Sequence, residues 1–220
     1  MGIQNNLTEF LNKIPPEIKL IAVSKTKPVE IINEAYIAGQ RIFGENKVQE
    51  LVDKQVQLPK DIEWHYIGHL QRNKVKYLAP FISLIHAIDS FRLLAEVNKQ
   101  GVKNNRIIKC LLQFHIASES AKFGLNYNEA VELMENDIYK TFKNVEIVGV
   151  MGMATYTDNE EQIRSEFKLL RSYFEKLKKD YFINSLSFKE ISMGMSDDYQ
   201  IAIEEGSTMI RVGTKIFGKR

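Results

Sequence analysis

The chain is poor in the features that mark several functional classes. It has a single cysteine, Cys110, among 220 residues. That excludes an intrachain disulfide framework or a thiolate metal cluster and fits a reducing cytosol. No apolar run approaches the roughly 20 residues that a membrane span needs. The opening stretch MGIQNNLTEFLNKI lacks the charged and apolar regions of a signal peptide. Asn6 stands where a myristoylation signal requires Ser or Thr. Charge of one sign is also scarce: 30 Lys plus Arg face 28 Asp plus Glu, a net +2. That balance argues against nucleic acid or an anionic membrane as the main partner. Neither a linker nor a low-complexity stretch interrupts the sequence. One domain over residues 1–220 and a cytoplasmic location are expected.

What is present is a repeat of pattern. Short runs rich in Ile, Val and Leu alternate with amphipathic segments. The expected strands are 18–24, 41–44, 63–68, 82–88, 107–116, 145–153, 186–194 and 208–213. Several are apolar at consecutive positions, which suits parallel strands covered on both faces. Helical patterns lie between them. PVEIINEAYIAG (28–39) has Pro at its start and Gly at its end. Asn126 to Glu129 and Thr157 to Glu160 both have capping-box spacing. Segments 46–57 and 71–79 are shorter helical patterns, and an N-terminal helix precedes the first strand. Strict alternation means an α/β fold with a parallel sheet. A closed (β/α)8 barrel and an open doubly wound sheet both satisfy it. The strand count favours the barrel, and GxGxxG, the nucleotide-binding fingerprint of the open sheet, is missing after the first strand.

In a barrel of this kind the chemistry lies at the C-terminal ends of the strands. That rule selects Lys25, then Gly44 to Asn46, His65 to Gly68, His115, Ser192 to Ser196, and Arg211 with Gly213 and Thr214. Lys25 is in phase with Ile21 and Val23. If that face is the interior, its amine is partly desolvated and suited to attack a carbonyl. The plain alternative is that Lys25 and Lys27 solubilise a loop. ISMGMSDD (191–198) and RVGTKIFG (211–218) offer hydroxyls, glycines and exposed backbone N–H groups where this fold usually binds phosphate. They also read as ordinary turns. Asp197 and Asp198 fit the first turn of a helix better than acid–base work. His65, His69, His86 and His115 follow no metal-ligand spacing, and Gly68 breaks any helix between the first two. Basic QRNKVK (71–76) reads as a solvated helix face, and Trp64 as core.

Together, AVSKTKP (22–28), FGENKVQE (43–50), EWHYIGHLQRNK (63–74), MGMSDD (193–198) and GSTMIRVGTKIFG (206–218) resemble the pyridoxal phosphate homeostasis protein family, also described as YggS-like or PROSC-like. The motifs run in collinear order from about Ile18 to the C-terminus. The resemblance implies a type III pyridoxal phosphate (PLP) barrel, like the N-terminal domain of alanine racemase. It implies Lys25 as the Schiff-base residue, Asn46 beside the cofactor and Arg211 facing the pyridine nitrogen. Ser192, Gly194, Ser196, Gly213 and Thr214 would cradle the phosphate. Lys47 and Arg72 depart from the family's usual Tyr and Ser, and QFHIASESAKFG (113–124) is a loose version of the segment after strand five.

Arg211 then bears on function. Arginine is always charged and only donates, so it favours an unprotonated ring, a weak electron sink. No counterpart of the C-terminal β domain that completes alanine racemase-like enzymes is expected. The expectation is a monomeric protein, not an enzyme. It would hold PLP reversibly on Lys25 and deliver it to PLP-dependent apo-enzymes. A small PLP-dependent amino-acid racemase is the main alternative, with His115 or a tyrosine as second base. A regulatory interaction module and a Schiff-base aldolase are further alternatives.

Overall fold

The computed structural model describes residues 2–118 and 123–218. The middle of the 113–124 segment therefore lies outside the described residues. Eight parallel strands form a closed barrel: β1 (Lys19–Val23), β2 (Ile42–Glu45), β3 (Glu63–Tyr66), β4 (Leu84–Ile88), β5 (Ile108–Gln113), β6 (Val145–Met151), β7 (Glu190–Ser192) and β8 (Met209–Val212). Closure comes from β8 pairing with β1, with Ile21 opposite Arg211. The helices are α1 (Ile3–Leu11), α2 (Val29–Ile37), α3 (Val48–Gln57), α4 (Val75–Leu78), α5 (Phe91–Lys103), α6 (Tyr127–Glu135), α7 (Glu160–Asp180), α8 (Tyr199–Glu204) and α9 (Thr214–Phe217). The closed-barrel expectation holds, and the open sheet is ruled out by the β1–β8 ladder.

Alternation along the strands divides the core in two. Ile21, Leu84, Leu111, Val148, Met151 and Met209 fill the barrel interior. A larger cluster lies between the sheet and the surrounding helices, with Trp64 tilted against Phe43. Gly149 is needed where β6 meets β7: a Cβ there would fall 1.8 Å from the Glu190 carbonyl oxygen. Helix α1 packs on α2 and α9. Its Phe10 meets Tyr199, and the Asn6 side chain donates to the Ile216 carbonyl.

Side-chain caps mark the starts of α5, at Ser90, α6 and α7. Asn126 and Glu129 form the expected capping box. The cap expected at Thr157–Glu160 is shifted. Asn159 is the N-cap, accepting from the Gln162 N–H, while Thr157 accepts from the Asn159 N–H in the turn before it. Segment 71–79 splits into a 3-10 turn over Arg72–Lys74 and the single turn α4, with Arg72, Lys74 and Lys76 exposed around buried Val75. Among the described residues, no helix is long and apolar enough to cross a membrane.

Candidate functional site

The C-terminal ends of the strands open into a cavity of about 1090 Å³. Lys25, Asn46, Ser196, Arg211, Gly213 and Thr214 all line it. They come from the ends of β1, β2, β7 and β8, so the fold assembles side chains that are far apart in sequence. Ser192 and Gly194 do not line the cavity. Ser192 lies below it, fully buried, with its hydroxyl engaged inside the barrel. Gly194 is a turn residue with φ +94, packed on Ala202, and its carbonyl accepts from the Arg211 N–H. Of the expected phosphate cradle, these two residues therefore stand outside the cavity lining. His115 is likewise outside the cavity lining.

Lys25 is half-buried, and its neighbours in the chain are held by Glu45, a strand-end residue the sequence had marked, and by Lys54 and Glu50, which it had not. The buried Lys54 ammonium donates to the Ser24 carbonyl (2.9 Å), to Glu45 Oε1 (2.7 Å) and to Glu50 Oε1 (2.7 Å). Ser24 Oγ donates to the same Glu45 oxygen (2.7 Å), and the Thr26 N–H donates to Glu50 Oε1 (2.6 Å). The residues immediately before and after Lys25 are therefore pinned to one ion cluster. Thr26 sits at φ +66, a conformation that costs a non-glycine residue energy and persists only when neighbours hold it. Burial pushes the Glu45 carboxyl up despite its hydrogen bonds from Lys54 and Ser24. Burial also opposes ionisation of Glu50, but the bonds from Lys54 and Thr26 outweigh it and the pKa is lowered. The i,i+4 spacing of Glu50 and Lys54 was the available signal.

Arg211 is 4% exposed and reaches the cavity from its deep side. One terminal nitrogen donates to the Ser192 carbonyl (2.9 Å) and to Ser192 Oγ (2.6 Å). The other donates to the Gly152 carbonyl (3.1 Å). Guanidinium has five N–H donors, so these bonds leave others to face the cavity. Burial lowers its pKa to about 10 while Asp198 raises it, so it remains charged at neutral pH. Behind it, Ser192 Oγ meets His86 Nδ1 (3.0 Å), and His86 Nε2 meets His65 Nδ1 (3.1 Å). Burial, and the positive charge of Lys19, depress His65 to about 3. Burial, then His65 and Arg211, hold His86 well below the ordinary range. Both rings are neutral at pH 7. The sequence marks His65 as a strand-end residue and gives neither histidine metal-ligand spacing, but it does not pair the two.

Asn46 is placed by its backbone. The buried Tyr66 hydroxyl donates to the Asn46 and His69 carbonyls, both at 3.1 Å. Gly68 allows the two turns to touch, since a Cβ there would lie 2.4 Å from the Asn46 carbonyl oxygen. On the far side, Ser196 Oγ accepts from the Gly213 N–H (3.4 Å), and Asp198 turns back to accept from the Met195 N–H (2.5 Å). The first N–H groups of any helix lack intrahelical partners, so Thr214 and Lys215 head α9 with donors beside Ser196. Lys27 ties this turn to the β1 loop by donating to the Phe217 carbonyl (3.0 Å). At the rim, His69 pairs with Asp89 (3.1 Å) and stacks on Phe123 at 3.8 Å.

Comparison with known proteins agrees with this geometry. The sequence model described as "Alanine racemase, N-terminal domain" matches residues 2–220. A pyridoxal phosphate homeostasis protein of Aquifex aeolicus is 40% identical over 203 residues, covering 92% of this chain and 87% of the relative. PipY of Synechococcus elongatus, solved without PLP, superposes with a TM-score of 0.92 at 34% identity and covers 99% of this chain and 100% of that one. The same protein solved with PLP bound gives a TM-score of 0.88 at 35% identity with the same coverage.

Proposed function

The chain belongs to the pyridoxal phosphate homeostasis protein family, and on that premise we propose that it binds pyridoxal 5′-phosphate in the strand-end cavity, attached reversibly through Lys25. The observation that carries the reading is the convergence of one lysine, one buried arginine and one hydroxyl-and-backbone cradle on the same cavity. The fit is chemical as well as steric. A volume of about 1090 Å³ admits a small aromatic phosphate. Each polar end of such a ligand would meet a matching group.

When bound, the vitamer supplies an aldehyde that condenses reversibly with amines. The other roles belong to this chain. Lys25 offers the amine, oriented by the Ser24 and Thr26 anchors. Arg211 offers donors to the ring nitrogen and cannot take a proton from it. Ser196 Oγ and the backbone N–H groups of Gly213 and Thr214 offer the phosphate contacts. Asn46 flanks the ring from β2. Ser192 and Gly194 contribute at one remove, Ser192 by holding Arg211 and Gly194 by shaping the turn.

A ring nitrogen facing a permanent donor gives poor support to carbanion chemistry. The role is therefore a reservoir, not a catalyst: one protomer limits free aldehyde and releases it to PLP-dependent apo-enzymes when an incoming amine displaces Lys25. Purified protein mixed with PLP should develop a visible band that Lys25→Ala lacks. Wild-type protein that stays colourless with added PLP would overturn the reading.

A further inference from the structure

The serine–histidine–histidine chain behind Arg211 is oriented, and the orientation follows from what each group can do. Arg211 only donates, so Ser192 Oγ accepts from it. That hydroxyl then has one hydrogen to place, and His86 Nδ1 lies 3.0 Å away in a site closed to solvent. If Ser192 donates, His86 Nδ1 is the bare nitrogen and Nε2 carries the proton. His86 Nε2 then donates to His65 Nδ1 (3.1 Å), and His65 carries its proton on Nε2. The reverse orientation strands the serine hydrogen without an acceptor, which a buried polar group avoids. The chain therefore runs one way, from the cavity through the barrel core. It ends at a basin of about 690 Å³ at the N-terminal mouth, which His65 lines with Lys19, Lys109 and Glu190.

We propose that His86, backed by His65, is a positioning residue that sets the direction of the Ser192 hydroxyl and so the pose in which Arg211 presents its donors to the cofactor ring. The inference rests on the cofactor reading of the cavity. Charged groups reach the chain from three packed strands: Arg211 on β8, Lys19 on β1 and its ion-pair partner Glu190 on β7, while Asp198 faces Arg211. With both rings neutral, no member of the chain competes with Arg211 for the ring nitrogen. Its effect is on geometry and donor polarity.

The first test uses the unaltered protein and no ligand. Nitrogen-15 correlation spectra of histidine-labelled protein should show His86 and His65 as Nε2–H tautomers with bare Nδ1. An Nδ1–H His86 would overturn the orientation. The second test uses His86→Leu, Ser192→Ala and His86→Asn, whose amide oxygen can replace the Nδ1 acceptor. His86→Leu and Ser192→Ala should bind PLP about tenfold more weakly, the loss of one hydrogen bond to a charged donor. They should also alter the pH titration of the bound vitamer's visible band, and His86→Asn should restore both. Tautomer spectra of any variant that misfolds are replaced by those of the wild type, which decide alone. Wild-type protein that takes up no PLP would defeat the cavity reading. Wild-type protein that does, with His86→Leu matching it in affinity and in pH titration, defeats this proposal only.

Discussion

Lys54 satisfies two carboxylates and one carbonyl with its own side chain 8% exposed. Removing one partner of such a cluster leaves charge stranded in low dielectric. Lys54→Met should therefore cost about 3–5 kcal/mol, the range for breaking a buried ion pair. Urea unfolding of the purified variant measures it. Because the same cluster anchors Ser24 and Thr26, the variant should also retain PLP less well, which the Lys25 band reports. A variant of wild-type stability would mean that the cluster does not hold the β1 loop. Gly68 makes the same point sterically. The 2.4 Å approach to the Asn46 carbonyl leaves no room for a methyl group, so Gly68→Ala should destabilise by about 1–3 kcal/mol. An unchanged midpoint in the same urea experiment would contradict that contact.

At the scale of elements, the β7 and β8 loops divide their labour. Ser196, Gly213 and Thr214 line the cavity, whereas Ser192 and Gly194 support it from behind. Inorganic phosphate should therefore compete with PLP. Ser196→Ala should weaken binding of phosphate, and of PLP with it, by about tenfold, the worth of one charge-assisted hydrogen bond. Titration of each ligand alone measures it, and unchanged affinities would remove Ser196 from the cradle. Most of this was legible in the sequence. Apolar runs marked all eight strands, and the strand-end rule brought Lys25, Asn46, Ser196, Arg211, Gly213 and Thr214 to one mouth. Neither says which way a loop residue turns past the strand end. ISMGMS therefore looked like one continuous anion site, although strand β7 ends at Ser192 and keeps that hydroxyl inside the barrel. The His65–His86 pair was hidden for a related reason. Each lies in phase with interior positions of its strand, but their meeting depends on the stagger between β3 and β4. The Lys54 cluster needs three elements to converge, which no local pattern records.

For the molecule as a whole, two buried neutral histidines tie stability to pH. His65 is depressed from 6.5 to about 3, and His86 moves the same way. Between those values the unfolded chain binds protons that the folded chain refuses, so stability falls as pH falls. The slope is about 1.4 kcal/mol per pH unit for each histidine. Glu45 acts in the opposite sense. Its raised pKa adds stability below the ordinary 4.5 that is lost as pH rises through the folded value. Between pH 6.5 and 4.5 the histidines dominate, and the thermal midpoint should drop steadily. A flat midpoint over that interval would show that the rings are protonated in the folded barrel.

The central claim is covalent and can be read directly. The protein is mixed with PLP, reduced with borohydride, digested and sequenced by mass spectrometry. The account predicts one pyridoxyl adduct, on Lys25, reduced in Ser196→Ala and absent in Lys25→Ala. An adduct at another lysine with Lys25 unmodified, or no adduct, would contradict it.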